Sequence, residues 1–156
     1  MTIPVNDVAW EQLPDMPVAK WEPASIVLDD KLYVLGGYED HVTSSRRLDV
    51  FDPEDGSWAQ LQDCPSRISH VDLVEGDTGF WFAGGMKDKP DRSAKDHIIA
   101  EVWHFDVESD RYTAAPLLPG PRAGGALARV GDRLHYIAGL MADRDTDSPD
   151  HFVFDL

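Results

Sequence analysis

Cysteine and basic residues are scarce in this 156-residue sequence, and each scarcity argues against a class of protein. The single cysteine, Cys64, excludes an intrachain disulfide, so a reducing compartment fits the chain. The 14 lysines and arginines are outnumbered by 29 aspartates and glutamates, which gives a formal net charge of −15. This acidic balance argues against nucleic-acid binding, because phosphates would be repelled.

Long apolar runs are also missing, which argues against a membrane span. The first residues, Met1–Pro4, lack the basic and apolar regions of a signal peptide, so we expect a cytoplasmic protein with no membrane partner. The 12 glycines and 11 prolines are spread along the chain and leave little room for long helices.

What the sequence has instead is one set of landmarks repeated three times. An aromatic residue, a proline and a glycine each recur at spacings of 48 and 54 residues, and a phenylalanine recurs at 54 and 49. The landmarks are Trp10, Trp58 and Tyr112; Pro17, Pro65 and Pro119; Gly37, Gly85 and Gly139; and Phe51, Phe105 and Phe154. Four markers that keep one order indicate an internal structural repeat.

Within each copy, short apolar runs alternate with turn signals, a pattern typical of β-strands. In the first copy the second strand, Leu32–Leu35, ends in Gly36–Gly37, and a third strand, Leu48–Asp52, precedes the strand that holds Trp58. A glycine pair after a buried strand suits close backbone packing, because glycine has no Cβ. The pattern therefore predicts an all-β protein with four short strands in each unit.

These marks resemble the kelch repeat, which has a diglycine after its second strand and two spaced aromatic residues further on. The residues that carry the resemblance are Gly36, Gly37, Phe51 and Trp58, then Gly84, Gly85, Phe105 and Tyr112. The third copy departs, because Ala138 replaces the first glycine and the last aromatic residue is missing. The resemblance covers the chain from about Trp10 to Leu156 and implies kelch-type β-propeller blades, each of four antiparallel strands.

The same resemblance implies one kelch domain over residues 1–156 with three blade equivalents. Its parts are an orphan fourth strand at 10–17, blade 1 at 24–61, blade 2 at 69–115 and the first three strands of blade 3 at 124–156. Closed propellers typically carry four to eight blades. Three blades are too few to close a ring, but two copies together supply six. We therefore expect a homodimer in which two copies exchange strands and close a six-bladed ring. An excised or engineered fragment is the alternative, and such a fragment could dimerise for the same reason.

Candidate ligand-binding residues lie in loops that the strand order places at the mouth of the propeller. The longest of these loops, Met86–Ala100, carries an insertion. In kelch adaptors and six-bladed sialic acid mutarotases, arginines at this mouth bind acidic ligands, so the resemblance implies a peptide or small acidic ligand. The alternative is that Arg67 and Arg122 bind backbone carbonyls between blades. The candidates are Lys20, Tyr38, His41, Arg46, Arg67, Lys87, His97 and Arg122.

The sequence assigns no catalytic group, cofactor or metal. The acidic loop from Asp143 to Asp150 lacks the glycine and terminal glutamate of an EF-hand, and the histidines lack zinc spacing. Two function classes remain. The first is a binding or interaction scaffold; the second is a six-bladed sugar mutarotase or isomerase with acid–base groups at the mouth. Mutarotation needs only a proton donor and a proton acceptor, which loops of many kinds could supply. The loop residues are therefore no specific evidence for it, and the scaffold is preferred.

Overall fold

The computed structural model describes residues 9–41, 43–88 and 97–156, which fold into thirteen β-strands joined by turns and loops. The strands are β1 (Ala24–Leu28), β2 (Lys31–Leu35), β3 (Leu48–Asp52), β4 (Ser57–Gln60), β5 (Leu73–Glu75), β6 (Gly79–Ala83), β7 (Met86–Lys87), β8 (His97–Ile98), β9 (Val102–Asp106), β10 (Arg111–Ala115), β11 (Ala126–Val130), β12 (Arg133–Ile137) and β13 (His151–Asp155). The predicted all-β fold is confirmed. None of the described residues forms a helix able to span a membrane.

Three antiparallel sheets follow one another along the chain. Blade 1 contains β1–β4 in sequence order, blade 2 contains β5, β6, β9 and β10, and blade 3 contains β11–β13. β7 and β8 pair as a small ribbon in the long loop of blade 2. Because β5 lies beside both β1 and β11, the first strands form the inner edge of an arc of three blades.

A tight turn sets the strand register of blade 1. Asp29 and Asp30 link β1 to β2 with backbone φ angles of 47° and 60°. Two consecutive left-handed residues match the right-handed twist of a hairpin, and aspartate tolerates that conformation better than most residues. Leu28 therefore pairs with Lys31, and alternate side chains of β1 fall on opposite faces of the blade.

Aromatic side chains fill the space between the blades. Phe80, Phe82 and Phe105 of blade 2 are fully buried in the cluster shared with blade 1. The Phe80 ring centre lies 6.2 Å from that of Tyr33 in blade 1. On the opposite face of blade 2, Trp81 packs towards blade 3. The sheets are therefore held together by side-chain burial across blade interfaces.

The first glycine of each diglycine allows the chain that enters the next blade to come close. Gly36 and Gly84 have φ angles of 64° and 66°. An added Cβ would lie 2.3 Å from the carbonyl oxygen of Ile68 at the first position, and 2.3 Å from that of Arg122 at the second. In blade 3 the position is Ala138, whose φ of 61° is strained for a residue with a Cβ.

Large apolar side chains are exposed at both ends of the arc. Val27 of β1 alternates with residues that pack on blade 2, so it points away from that blade. In blade 3, Val130, Ile137 and Val153 likewise alternate with residues buried against blade 2. We call these outward surfaces the blade 1 end face and the blade 3 end face. Exposed apolar area of this kind is unfavourable by about 25 cal/mol per Å².

We expect Phe105→Ala to lower the free energy of unfolding by about 3–5 kcal/mol, because it removes a fully buried ring between two sheets. Thr113→Ala on the neighbouring β10 is the control, since Thr113 is exposed, and it should change stability by less than about 0.5 kcal/mol. Urea unfolding followed by tryptophan fluorescence measures both. An unmoved midpoint for Phe105→Ala would contradict the blade packing.

Candidate functional site on the loop face

The loops that carry the predicted ligand residues meet at one end of the blades. The chain entering each blade forms a bridge with the loop after that blade's second strand, at Trp21 and Tyr38, at Ser69 and Met86, and at Ala123 and Leu140. We call this end the loop face; it comprises residues 15–23, 36–41, 43–47, 61–72, 84–88, 97–101, 116–125 and 138–150. Residues 89–96, most of the predicted insertion, lie outside the described residues.

Arg67 bonds to the backbone between blades 1 and 2. Its Nη1 atom donates to the carbonyl oxygen of Ser44 at 2.6 Å. The backbone nitrogen of Ser44, which is fully buried, donates in turn to Asp88 at 3.0 Å. Arg67 thus makes the backbone contact that the sequence left as the alternative to ligand binding, and its ligand role stays a prediction.

Arg122 is a buried arginine between blades 2 and 3. Its Nη1 atom donates to the carbonyl oxygen of Pro121 at 2.7 Å, and its Nη2 atom pairs with Asp150. The guanidinium also lies over the Phe152 ring, 5.5 Å from the ring centre. With a side chain only 6% exposed, Arg122 is committed to these internal contacts.

Lys20 belongs to a buried ion cluster on the blade 1 end face. Its Nζ atom lies 2.9 Å from Asp49 Oδ2, and both side chains are fully buried. Arg47 donates to the other carboxylate oxygen of Asp49 at 2.5 Å. Burial alone would raise the pKa of Asp49, but the hydrogen bonds from Arg47 and Lys20 outweigh it and hold that pKa below its usual value. The cluster fixes the chain that enters blade 1 against its sheet.

Three other candidates lie further out on the loop face. Arg46 is half exposed and donates from Nε to the carbonyl oxygen of Cys64 at 3.1 Å. Lys87 pairs with Glu101, while His97 stands opposite Lys87 in the β7–β8 ribbon and is exposed. Burial would raise the pKa of Glu101, but hydrogen bonds, first among them that from Lys87, lower it instead. These side chains are close enough to solvent to meet a ligand.

Tyr38 and His41 belong to an aromatic cluster. The Tyr38 ring stacks on Trp21 with ring centres 4.5 Å apart and an interplanar angle of 25°. His41 lies 6.4 Å from Trp21, and His70 meets the Tyr38 ring edge-on at 5.9 Å. Glu22 lies 3.1 Å from His70 Nε2. Because His70 is in the chain that enters blade 2, the cluster spans blades 1 and 2.

Trp21, Glu22 and His70 were not among the ligand-binding candidates predicted from the sequence. His70 lies in the linker before β5 with a φ of 56°. The repeat spacing is the sequence signal that could have identified this aromatic cluster. Trp21 and Ser69 are 48 residues apart, and both bridge to the loop after the second strand.

The acidic loop of blade 3 uses Asp143 to hold its own turn. Asp143 Oδ1 accepts from the backbone nitrogens of Asp145 and Thr146, at 3.1 and 3.0 Å. Its Oδ2 accepts from the Thr146 hydroxyl at 2.7 Å. Among the described residues, no group of three histidine, cysteine or acidic side chains is arranged to hold a metal ion.

Comparisons with known proteins agree with this architecture. The kelch motif matches residues 22–65, from the chain entering blade 1 to the linker after it. The chain thus resembles kelch-repeat proteins. The Kelch repeat-containing protein At3g27220 of Arabidopsis thaliana is 26% identical over 96% of the chain, which covers 35% of that protein. Beta-scruin of Limulus polyphemus is 22% identical over 73% of the chain, which covers 12% of that protein.

A solved structure, that of YjhT, shares the fold of this chain. The two superpose with a TM-score of 0.79 at 19% identity, over 94% of this chain and 53% of YjhT. The kelch-type blade architecture predicted from the sequence is therefore confirmed. The chain spans about half the length of YjhT, 35% of the length of the Arabidopsis protein and 12% of the length of beta-scruin.

We expect Asp49→Asn to cost about 3 kcal/mol of unfolding free energy at pH 7, because two cations then lose their buried counter-charge. The lowered pKa means that Asp49 stabilises the fold above the unfolded value of about 3.9, and that this contribution is lost as pH falls through the folded pKa. The difference in unfolding free energy between the wild-type protein and Asp49→Asn should therefore narrow as the pH falls.

Urea unfolding at several pH values measures this difference in unfolding free energy. The matched control is Asp52→Asn, which removes the more exposed pair with Lys31 and should have a much smaller effect. Equal losses for the two variants would show that the Asp49 cluster does not fix the entering chain.

Proposed function

We propose that this chain is a kelch-repeat binding scaffold, in which rigid blades hold a set of ligand-binding loops on one face. The observation that carries the proposal is the convergence of loops from all three blades on the loop face, above an aromatic core. Loops held by a rigid frame are where binding residues usually lie. The fold supports such a role without naming a reaction.

The proposed ligand is a peptide or small acidic molecule. Arg67 is the arginine best placed to take part, because Arg122 is already buried against Asp150 and Phe152. Arg46, Lys87 and the exposed His97 add positive or protonatable groups. Sugar mutarotation and a cytoplasmic location stay predictions from the sequence, and no contact among the described residues favours mutarotation.

The scaffold is proposed to be a six-bladed ring made by two copies that exchange strands. Two features support this. The blade 1 and blade 3 end faces expose apolar side chains, and each could cover the other in a twofold assembly. In addition, the arc superposes on about half of a longer kelch propeller chain. A ring of six lies within the usual range of four to eight blades.

Sedimentation equilibrium tests the ring. We expect a species of twice the 17.4 kDa chain mass at micromolar concentration. Because folding and association are then coupled, the unfolding midpoint should rise with protein concentration. A monomer that stays compact and stable at all concentrations would contradict the ring.

Ligand binding is tested with sialic acid and with a polyglutamate peptide, by calorimetry. Arg67→Ala should weaken binding at least about tenfold, the loss expected for a charge-assisted hydrogen bond. Arg111→Ala is the control, because β10 begins at the end of blade 2 opposite the loop face. Failure of both probes to bind the wild-type protein would overturn the acidic-ligand part of the proposal.

A further inference from the structure

An aromatic pair completes the outer part of each four-stranded blade. In blade 1, Trp58 of β4 is paired with Phe51 of β3, and their ring centres are 5.0 Å apart. In blade 2, Tyr112 and Phe105 repeat the arrangement at 4.7 Å. Blade 3 has Phe154 at the corresponding position of β13. Among the described residues, β13 pairs only with β12, so the place of a fourth strand is open.

An apolar groove lies beside this open edge. It is a cavity of about 120 Å³ between blades 2 and 3, lined in part by Pro116, Leu117, Leu118, Phe152 and Phe154. Leu117 is 67% exposed, although it is a large apolar residue in an interblade linker. The groove therefore offers an aromatic side chain a surface next to Phe154.

A segment of matching sequence projects from the opposite end of the arc. Residues 10–13 read Trp-Glu-Gln-Leu, and the fourth strand of blade 1 with its next residue reads Trp-Ala-Gln-Leu at 58–61. Trp10 is fully exposed and Leu13 is 56% exposed. Neither residue is in a strand of the described structure.

The chain immediately after this segment is docked as an interblade linker. The Trp58 indole nitrogen donates to the carbonyl oxygen of Pro14 at 3.1 Å. One repeat later, the backbone nitrogen of Gln62 donates to Asp110 in blade 2 at 2.7 Å. Pro14 and Gln62 share a repeat position. Pro14 contacts the fourth strand of blade 1, and Gln62 contacts the turn just before the fourth strand of blade 2. Residues 10–13 thus stand where the last strand of a preceding blade would run.

This segment is too short to reach β13 of its own chain. Blade 2 separates blades 1 and 3, and two sheet-to-sheet spacings amount to roughly 20 Å. Four extended residues, 10–13, span at most about 14 Å. Since Pro14 is fixed to blade 1, β13 lies out of reach within one copy.

We infer that the groove beside β13 is the docking site for residues 10–13 of a second copy. This rests on the proposed ring and adds its contact and register. Phe51 pairs with Trp58, and Phe105 pairs with Tyr112. The same register places Trp10 opposite Phe154 and Glu11 opposite Val153. Trp10 of one copy is the anchor that completes blade 3 of the other.

Disulfide trapping tests the register. Copies carrying Glu11→Cys are refolded together with copies carrying Val153→Cys. Directly opposed strand residues have Cα atoms about 5.5 Å apart at most, within disulfide range. The control pairs Ala9→Cys with Val153→Cys, two residues out of register. Native Cys64 is buried, which raises its pKa to about 11 and keeps it protonated.

We expect a covalent dimer from the Glu11→Cys mixture and little from the Ala9→Cys mixture. Preferential trapping by Ala9→Cys, or no trapping in a protein that sediments as a dimer, would overturn the register while leaving the ring intact. A wild-type protein that sediments as a monomer would overturn both the docking and the proposed ring.

The anchor role of Trp10 is tested by substitution. Trp10→Ala should raise the dimer dissociation constant at least about thirtyfold, the effect of losing an interface hot spot. Trp10→Tyr should restore most of the affinity, because tyrosine occupies this position in blade 2 as Tyr112. Unchanged dissociation constants for Trp10→Ala would overturn the anchor role.

Discussion

Each sheet of this chain has two faces to bury, and the rest of the structure depends on that constraint. Blade 2 satisfies it within the chain, because Phe80 and Phe105 pack towards blade 1 and Trp81 packs towards blade 3. Blades 1 and 3 each have one neighbour and one end face with exposed apolar residues. The proposed ring would give every blade two neighbours, so the same burial that orders the chain would also drive its assembly.

Ala138 sets the closing junction apart from the two internal ones. At Gly36 and Gly84 the next blade's chain comes so close that a Cβ would lie 2.3 Å from a carbonyl oxygen. In the proposed ring, Lys20 of the second copy would supply the corresponding carbonyl. In such a ring the junction at Ala138 would be wider than the internal junctions, which would make it the weaker interface.

The repeat made the blades predictable, because strand alternation and turn residues are local properties of the sequence. The role of each loop side chain was less predictable. Arg67 and Arg122 follow equivalent prolines but differ by one residue in repeat position, so one bonds to Ser44 and the other is buried against Asp150. Likewise, Lys20 pairs with Asp49, which lies 29 residues later in the sequence, in β3. Such pairings depend on which face of a sheet a linker crosses, and spacing alone does not carry that information.

Residue-resolved amide hydrogen exchange on β13 tests most directly whether a fourth strand completes blade 3. The backbone nitrogen of Leu156 donates to Asp132 beside β12, so by alternation the amides of Phe152 and Phe154 face β12, while those of Val153 and Asp155 face the open edge. We expect the Val153 amide to exchange as slowly as its neighbours at concentrations where two copies associate, and faster on dilution. Rapid exchange at Val153 beside protected Phe152 and Phe154, at every concentration, would contradict it.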